Sequence, residues 1–208
     1  MITSSRPFVV AGLTEKTVAL VSALRQRDAN TGAHSERACA LALELGRAAA
    51  LSSSSLATLG LAAQLHDVGK IGIPDVVLLK PGRLEPDELE VMKTHPQRGY
   101  EILSAIADAE IAAVAEPVLH HHEHFAGGGY PGRLKGEAIP FLSRIIAIAD
   151  SYDAMATDRP YHRAKTHGEI MRILFEVNGD KYDPHLVAKF AALIESSRHR
   201  SRGPLPAA

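Results

Sequence analysis

"LAAQLHDVGKIGIPD", residues 61–75, is the stretch whose reading decides the fold. Apolar residues lead up to His66 and Asp67, Val68 follows, and Gly69 comes next. Adjacent ionisable groups beside a buried-looking run are costly unless something pairs with them. Leu56, Leu59, Ala63 and His66 step by three, four and three, so they share one helix face, and a serine of "LSSSS" (51–55) is placed to cap that helix. Gly69 is its expected end.

The same period recurs on both sides. Leu13 to Leu24 carries a stripe of Val18, Val21 and Leu24 with Thr14 as N-cap, and "RDANTG" (27–32) breaks the pattern. From Ala33 to Ala49, His34, Ala38, Leu41 and Leu45 form the next face. "IGIPDVVLLKPGRLEPDE" (71–88) reads as a loop or short irregular segment; its β-branched residues have no partner strand. Pro86 to Leu103 reads as one helix with Leu89, Met92, His95, Gly99 and Ile102 on one side. Ile111, Val114, Val118 and His121 follow, with His122 adjacent and Pro117 expected to kink the helix. After the glycine-rich "FAGGGYPGRLKGEAIP" (125–140), a helix carries Ile146, Asp150, Asp153 and Thr157 on one face. Helices at 167–177 and 184–196 complete an all-α, single-domain bundle, followed by a basic tail at 197–208 expected to be disordered.

Composition excludes several alternatives. The 208 residues carry 23 Lys and Arg against 24 Asp and Glu, which removes the general electrostatic case for a nucleic-acid polymer as partner. The single Cys39 permits neither an intramolecular disulfide framework nor a multi-thiolate zinc site, and its helical setting reads as a small buried residue. No run is long enough to span a bilayer, and "MITSSRPFVVAG" lacks the marks of a secretion signal, so no membrane partner and a cytoplasmic location are expected.

Eleven histidines against one cysteine matter because of where they fall. His34, His66, His95, His121 and Asp150 occupy interior-face positions in five separate helices, with Asp67 beside His66 and His122 beside His121. Converging imidazoles and carboxylates are best satisfied by a cation. Seven ligands exceed one tetrahedral site and suit two metals if Asp67 bridges them. The all-nitrogen-and-oxygen donor set favours iron, manganese, nickel or cobalt over structural zinc. Two such ions can hold a bridging hydroxide and clamp phosphoryl oxygens. Lys70, one turn beyond His66, is either a solvated helix-end cation or a contact to a phosphate oxygen. Glu123 is either a hydrogen-bond partner of a ligand imidazole or an exposed helix end. Arg159 is either a phosphate fork or part of a structural ion pair. The glycine-rich loop, with Tyr130, sits at the rim of the proposed site.

His34, "HDVGK" (66–70), "HP" (95–96), "HHE" (121–123), "GYP" (129–131) and "DSYDA" (150–154) occur in that order. The set closely resembles the HD-GYP family, a branch of the HD-superfamily metal-dependent phosphohydrolases, from about Asp28 to Pro184. "IGIPD", "LLKPGRL", "RIIAIADSYDAM" and "RPY" extend the likeness. The resemblance implies an HD-type helical bundle spanning 28–196 after an N-terminal lead-in and helix at 1–27, and hydrolysis of cyclic di-GMP to linear pGpG, in some members on to GMP. It also implies a centre of two or three metals. By position, His34, His66, Asp67 and Asp150 would hold one metal, and Asp67, His95, His121 and His122 the other. Lys70 would contact the scissile phosphate or its nucleophile, while Asp153, Arg159 and Tyr130 would touch substrate, Asp153 and Arg159 alternatively acting through the ligands. A diguanylate-cyclase-domain partner at the GYP loop and a homodimer are further implications.

Three departures stand out. Asn30 occupies the position of a glutamate in trinuclear-looking members, which predicts two divalent metals, iron or manganese ahead of nickel, cobalt or zinc, and pGpG as main product. Ala126 replaces a common loop aspartate and puts loop anchoring in doubt. His162 replaces a usual Lys or Arg after "RPY". The competing readings are an HD phosphohydrolase of other nucleotides and a catalytically silent module that binds cyclic di-GMP or a protein. With too few residues ahead of Asp28 for a sensory domain, the chain reads as a stand-alone enzyme or an excised domain.

Overall fold

A helix apolar on every side belongs at the centre of a bundle. Residues 59–65 meet that condition, and the computed structural model, which describes residues 15–27, 29–158 and 163–204, buries all seven. Ten α-helices are present among the described residues: α1 (Glu15–Arg27), α2 (Ala29–Ala48), α3 (Ser53–Leu65), α4 (Asp75–Leu78), α5 (Pro86–Met92), α6 (His95–Ser104), α7 (Ala109–Leu119), α8 (Phe141–Ala156), α9 (His167–Glu176) and α10 (Pro184–Ile194). Two isolated bridges, Thr166 with Arg202 and Asn178 with Tyr182, are the extended pairings among these residues. The all-α expectation holds.

Central α3 packs on α2 and α7; α2 also packs on α8, and α6 on α7. Leu41, Leu45, Leu59, Leu65, Ile111, Val118, Ile145, Ile146 and Phe190 fill the space between them. Each such side chain contributes about 1.5–3 kcal/mol by leaving water. Cys39 is buried here as expected, its thiol donating to the Gly60 carbonyl at 3.3 Å, and burial, with Glu36 beside it, pushes its pKa up to about 12.

Several boundaries differ from the periodicity. Residues 29–32 of the expected break are the first turn of α2, and α1 ends at Arg27. In α1, Leu24 is buried but Val18 is exposed, while Leu13 and Thr14 lie outside the described residues. The helix expected over 86–103 is two, α5 and α6, parted at Lys93 and Thr94. Pro96 explains the restart, because a residue without an N–H fits the first turn of a helix and not its interior. The "loop" after His66 contains a 3₁₀ turn, Val68–Gly72, and α4.

Gly69 does not end α3, which stops at Leu65; it serves a different purpose. A Cβ there would lie 1.9 Å from the His95 carbonyl oxygen and 2.4 Å from the Gly99 amide. The 3₁₀ turn and α6 therefore touch backbone to backbone, and Asp67 is brought to His95. Arg27, at the end of α1, donates to the carbonyls of Ile71 and Ile73 beyond that turn.

The expected disordered tail is, over 197–204, placed against α8 and α9. The Ser201 amide donates to the Tyr152 hydroxyl at 2.9 Å and the Ser201 hydroxyl to the Lys165 carbonyl at 2.7 Å. A backbone amide on a buried tyrosine hydroxyl and a serine hydroxyl on a carbonyl hold a segment whose composition reads as unstructured.

Candidate metal centre

Every nominated ligand comes to one place. His34 projects from α2, His66 and Asp67 from the end of α3, His95 from the first position of α6, His121 and His122 from just past α7, and Asp150 from α8. Three imidazoles are aimed by their own chain segments. His66 Nδ1 donates to the Ala63 carbonyl at 2.8 Å, His95 Nδ1 to Met92 at 2.9 Å and His121 Nδ1 to Val118 at 2.6 Å. A carbonyl only accepts, so Nδ1 carries the proton and Nε2 turns a lone pair inward.

These lone pairs meet other acceptors. His95 Nε2 and His121 Nε2 stand 3.4 Å apart. Asp67 sits between the two halves of the cluster, Oδ2 3.4 Å from His66 Nε2 and Oδ1 3.4 Å from His95 Nε2. His66 Nε2 is buried without a hydrogen-bond partner, 3.9 Å from Asp150 Oδ1. His34 Nε2 lies 2.9 Å from the same Asp150 oxygen. Donor atoms of His34, His66 and Asp150 fall within 4.8 Å of one another, as do those of His95, His121 and His122, and those of His66, Asp67 and His121. Asp67 shares its region with both halves, where a bridging carboxylate belongs.

Electrostatics suits cation ligation, which needs neutral imidazole and ionised carboxylate. Burial, aided by Lys70, lowers the His95 pKa to about 4; burial and His95 lower that of His122 to about 3. Burial holds His121 well below the usual range as well. For Asp67, burial opposes ionisation, but Lys70 and His66 override it and keep the carboxyl well below its usual value. Asp150 behaves alike, burial being outweighed by the hydrogen bond to His34. His34 is the exception: burial would lower its pKa, yet hydrogen bonds to Asp150 and Asp153 raise it to about 9.

The cluster floors a cavity of about 670 Å³, lined on one side by Val77, Leu84, Met92 and Tyr130 and on the other by Thr31, Arg37, Thr157 and Asp158. Lys70 lines it too, its Nζ 2.8 Å from Asp67 Oδ2. Tyr130 stacks on His122, ring centroids 4.9 Å apart, with Lys93 over its other reach at 5.9 Å.

Asp153 takes the second of its two expected places, behind His34, and Glu123 takes neither of its own. Asp153 is buried and accepts from His34 Nδ1 at 2.7 Å and from Arg37 Nε at 2.7 Å, so it orients a ligand and does not line the cavity. Burial would raise its pKa, and those two partners lower it instead. Glu123 is buried but reaches no nominated ligand; it accepts from the amides of Gly132 at 2.6 Å and Leu134 at 3.0 Å. Glu123 thus anchors the glycine-rich loop, together with the Tyr130 amide on the His122 carbonyl at 3.2 Å and the Ala126 amide on the Asp180 carbonyl at 2.8 Å. Backbone bonds do what the missing loop aspartate was expected to do. Arg37 escaped the sequence reading, although its place three residues after His34 puts it on the same face. Arg159, His162 and the Asn30 side chain lie outside the described residues.

The HD domain family matches residues 18–186. RpfG of Xanthomonas campestris pv. campestris, a cyclic di-GMP phosphodiesterase response regulator, is 44% identical over 168 residues, which cover 81% of this chain and 44% of that relative. A cyclic di-GMP phosphodiesterase of Thermotoga maritima is 42% identical over 167 residues, covering 80% and 45%. A solved cyclic GMP-AMP specific phosphodiesterase of V. cholerae superposes with a TM-score of 0.65 at 23% identity, over 88% of this chain and 49% of that one, which supports the fold. The chain spans less than half the length of these relatives. Among the described residues no helix is long and apolar enough to cross a membrane.

Proposed function

The chain belongs to the HD-domain family, in its HD-GYP branch, and on that footing we propose that it is a metal-dependent phosphodiesterase opening cyclic di-GMP to linear pGpG. One observation carries the reading. The Nε2 atoms of His66, His95 and His121 and the carboxylate of Asp67 converge with every imidazole proton already engaged on the outer side. Facing acceptors repel unless cations lie among them.

The residues fit a pair of divalent ions. His34, His66, Asp67 and Asp150 would hold one, and Asp67, His95, His121 and His122 the other. With nitrogen and oxygen donors alone, iron or manganese leads, and nickel, cobalt and zinc follow. In the sequence Asn30 stands at the position of the glutamate of trinuclear-looking members, which supports two ions over three. When bound, such a pair supplies Lewis-acid stabilisation of phosphoryl oxygens and an acidified water.

The chain's own groups do the rest. Asp153 fixes the His34 tautomer by taking its Nδ1 proton in a hydrogen bond. Lys70 Nζ has one N–H on Asp67 and presents the others to the cavity, where a non-bridging phosphate oxygen would sit. Tyr130, stacked on His122, and Met92 give one nucleobase an apolar wall. Glu123, by holding the glycine-rich loop, keeps Tyr130 in that wall.

Elemental analysis of anaerobically purified protein, paired with product analysis on cyclic di-GMP, tests the proposal. About two ions per chain and accumulation of pGpG are expected. Faster turnover of mononucleotides than of cyclic di-GMP would replace the substrate assignment. Tight binding of cyclic di-GMP with no pGpG after long incubation would make the protein a sensor module.

A further inference from the structure

The cavity has two unlike ends. Beside His95 and His122 its lining is mostly apolar, with Lys80 there paired to Glu88. Beside His34 and Asp150, Thr31, Thr157 and Asp158 make it polar, and Arg37 is the cation there among the described residues. Arg37 is not a freely waving surface arginine. Its Nε donates to Asp153 Oδ1 at 2.7 Å, one Nη2 hydrogen goes to Asp153 Oδ2 at 3.0 Å and the other to Thr157 Oγ1 at 3.1 Å. A guanidinium has five N–H donors in a fixed plane. Three are engaged, and the two on Nη1 make no hydrogen bond among the described residues. The side chain remains 37% exposed and lines the cavity. A carboxylate clamped along one edge fixes the direction of the remaining pair of donors, which makes this arginine a rigid anion fork and not a flexible charge.

Building on the cyclic-dinucleotide reading, we propose that Arg37 is a substrate-binding residue that holds the second, uncleaved phosphate of the cyclic dinucleotide through Nη1. The substrate carries two phosphodiester anions held at a fixed span by its ring. One must lie at the His and Asp cluster, where Lys70 also stands. The other then needs a donor one short step away. Arg37 lies on the same α2 face as His34, three residues on, with Cβ atoms about 5–6 Å apart at that spacing. Asp158 is the acidic group of the same wall, and its Oδ1 accepts from the Ala164 amide at 2.8 Å. At the other end Lys80 already has Glu88 as its counter-ion, and the apolar side chains around it offer an anion no donor.

The assignment separates from a purely bracing role, in which Arg37 acts only by steadying Asp153 and through it His34. Steady-state kinetics of wild type, Arg37→Ala and Arg37→Lys on cyclic di-GMP should be set beside the same variants on bis(p-nitrophenyl) phosphate, which has one phosphodiester and no second anion. Metal content of each preparation is measured in parallel. For Arg37→Ala, KM for cyclic di-GMP should rise roughly 10- to 100-fold, at least tenfold more than any loss on the small substrate, with partial recovery in Arg37→Lys. Equal losses on both substrates, or losses that track metal content, overturn the proposal and leave Arg37 a brace. Direct binding of cyclic di-GMP keeps the two readings distinct. If wild type binds without cutting, the catalytic reading fails while the ratio of Kd values between wild type and Arg37→Ala still judges Arg37. If wild type does not bind at all, both fall.

Discussion

Two kinds of buried histidine show what a histidine's second nitrogen reveals. His167 meets the Tyr152 hydroxyl through Nδ1 at 2.9 Å and donates from Nε2 to Glu195 at 2.9 Å. Both nitrogens are satisfied by the protein, and the result is a structural pin that also holds Ser201 through Tyr152. His66, His95 and His121 are equally enclosed, yet each has its Nδ1 on a local carbonyl and its Nε2 turned toward other acceptors. Burial alone does not mark a ligand. In these three an inward lone pair that the protein leaves without a donor does; His34 differs, with Asp153 on Nδ1 and the nominated ligand Asp150 on Nε2.

The contrast breaks most completely at Asp67. Asp67→Ala is expected to abolish hydrolysis and lower the metal content; unaltered stoichiometry by elemental analysis would remove its bridging role. Gly69→Ala comes next, since its Cβ would collide with the His95 backbone. A loss of at least about 1–3 kcal/mol in denaturant unfolding is expected, with weaker metal retention as Asp67 shifts from His95. Lys70→Ala should keep both ions while kcat falls roughly 10²- to 10³-fold, and wild-type turnover would return Lys70 to an ion-pairing role. Asp153→Asn should weaken metal affinity by about 10- to 100-fold, read by competition with a chelating dye. His167→Ala is the gentlest: about 1–3 kcal/mol of stability lost, with metal content and kcat unmoved. Metal loss in that variant would mean the two histidine classes are not separate.

Helical period placed His34, His66, His95, His121 and Asp150 on interior faces, with Asp67 and His122 beside two of them. The structure brings these seven side chains together, because a residue on the interior face of an amphipathic helix must point at the core whichever neighbour it meets. The all-helical fold followed from the same stripes. Partner identity was not legible in this way. Asp150 and Asp153 share a face in the sequence, but which of them faces the cavity depends on Arg37 arriving from α2, a long-range contact. Glu123 follows two ligand histidines and reads as their partner, while its true acceptor role is toward amides of a loop nine and eleven residues on. The break between α5 and α6 carried a local signal, Pro96, masked by a continuous apolar stripe. The basic tail could not be placed by composition: Ser201 on Tyr152 and Lys165, Arg200 on Glu195 and the Arg202 bridge to Thr166 are long-range or context-dependent contacts.

The local carbonyls that aim the three imidazoles also bear on how the protein would respond to removal of the proposed ions. Ring orientation is set within each helix end, and the hydrophobic centre closes without help from coordination. Chelation is therefore expected to yield a folded apo form that reloads readily, unlike small domains that melt when their cation is withdrawn.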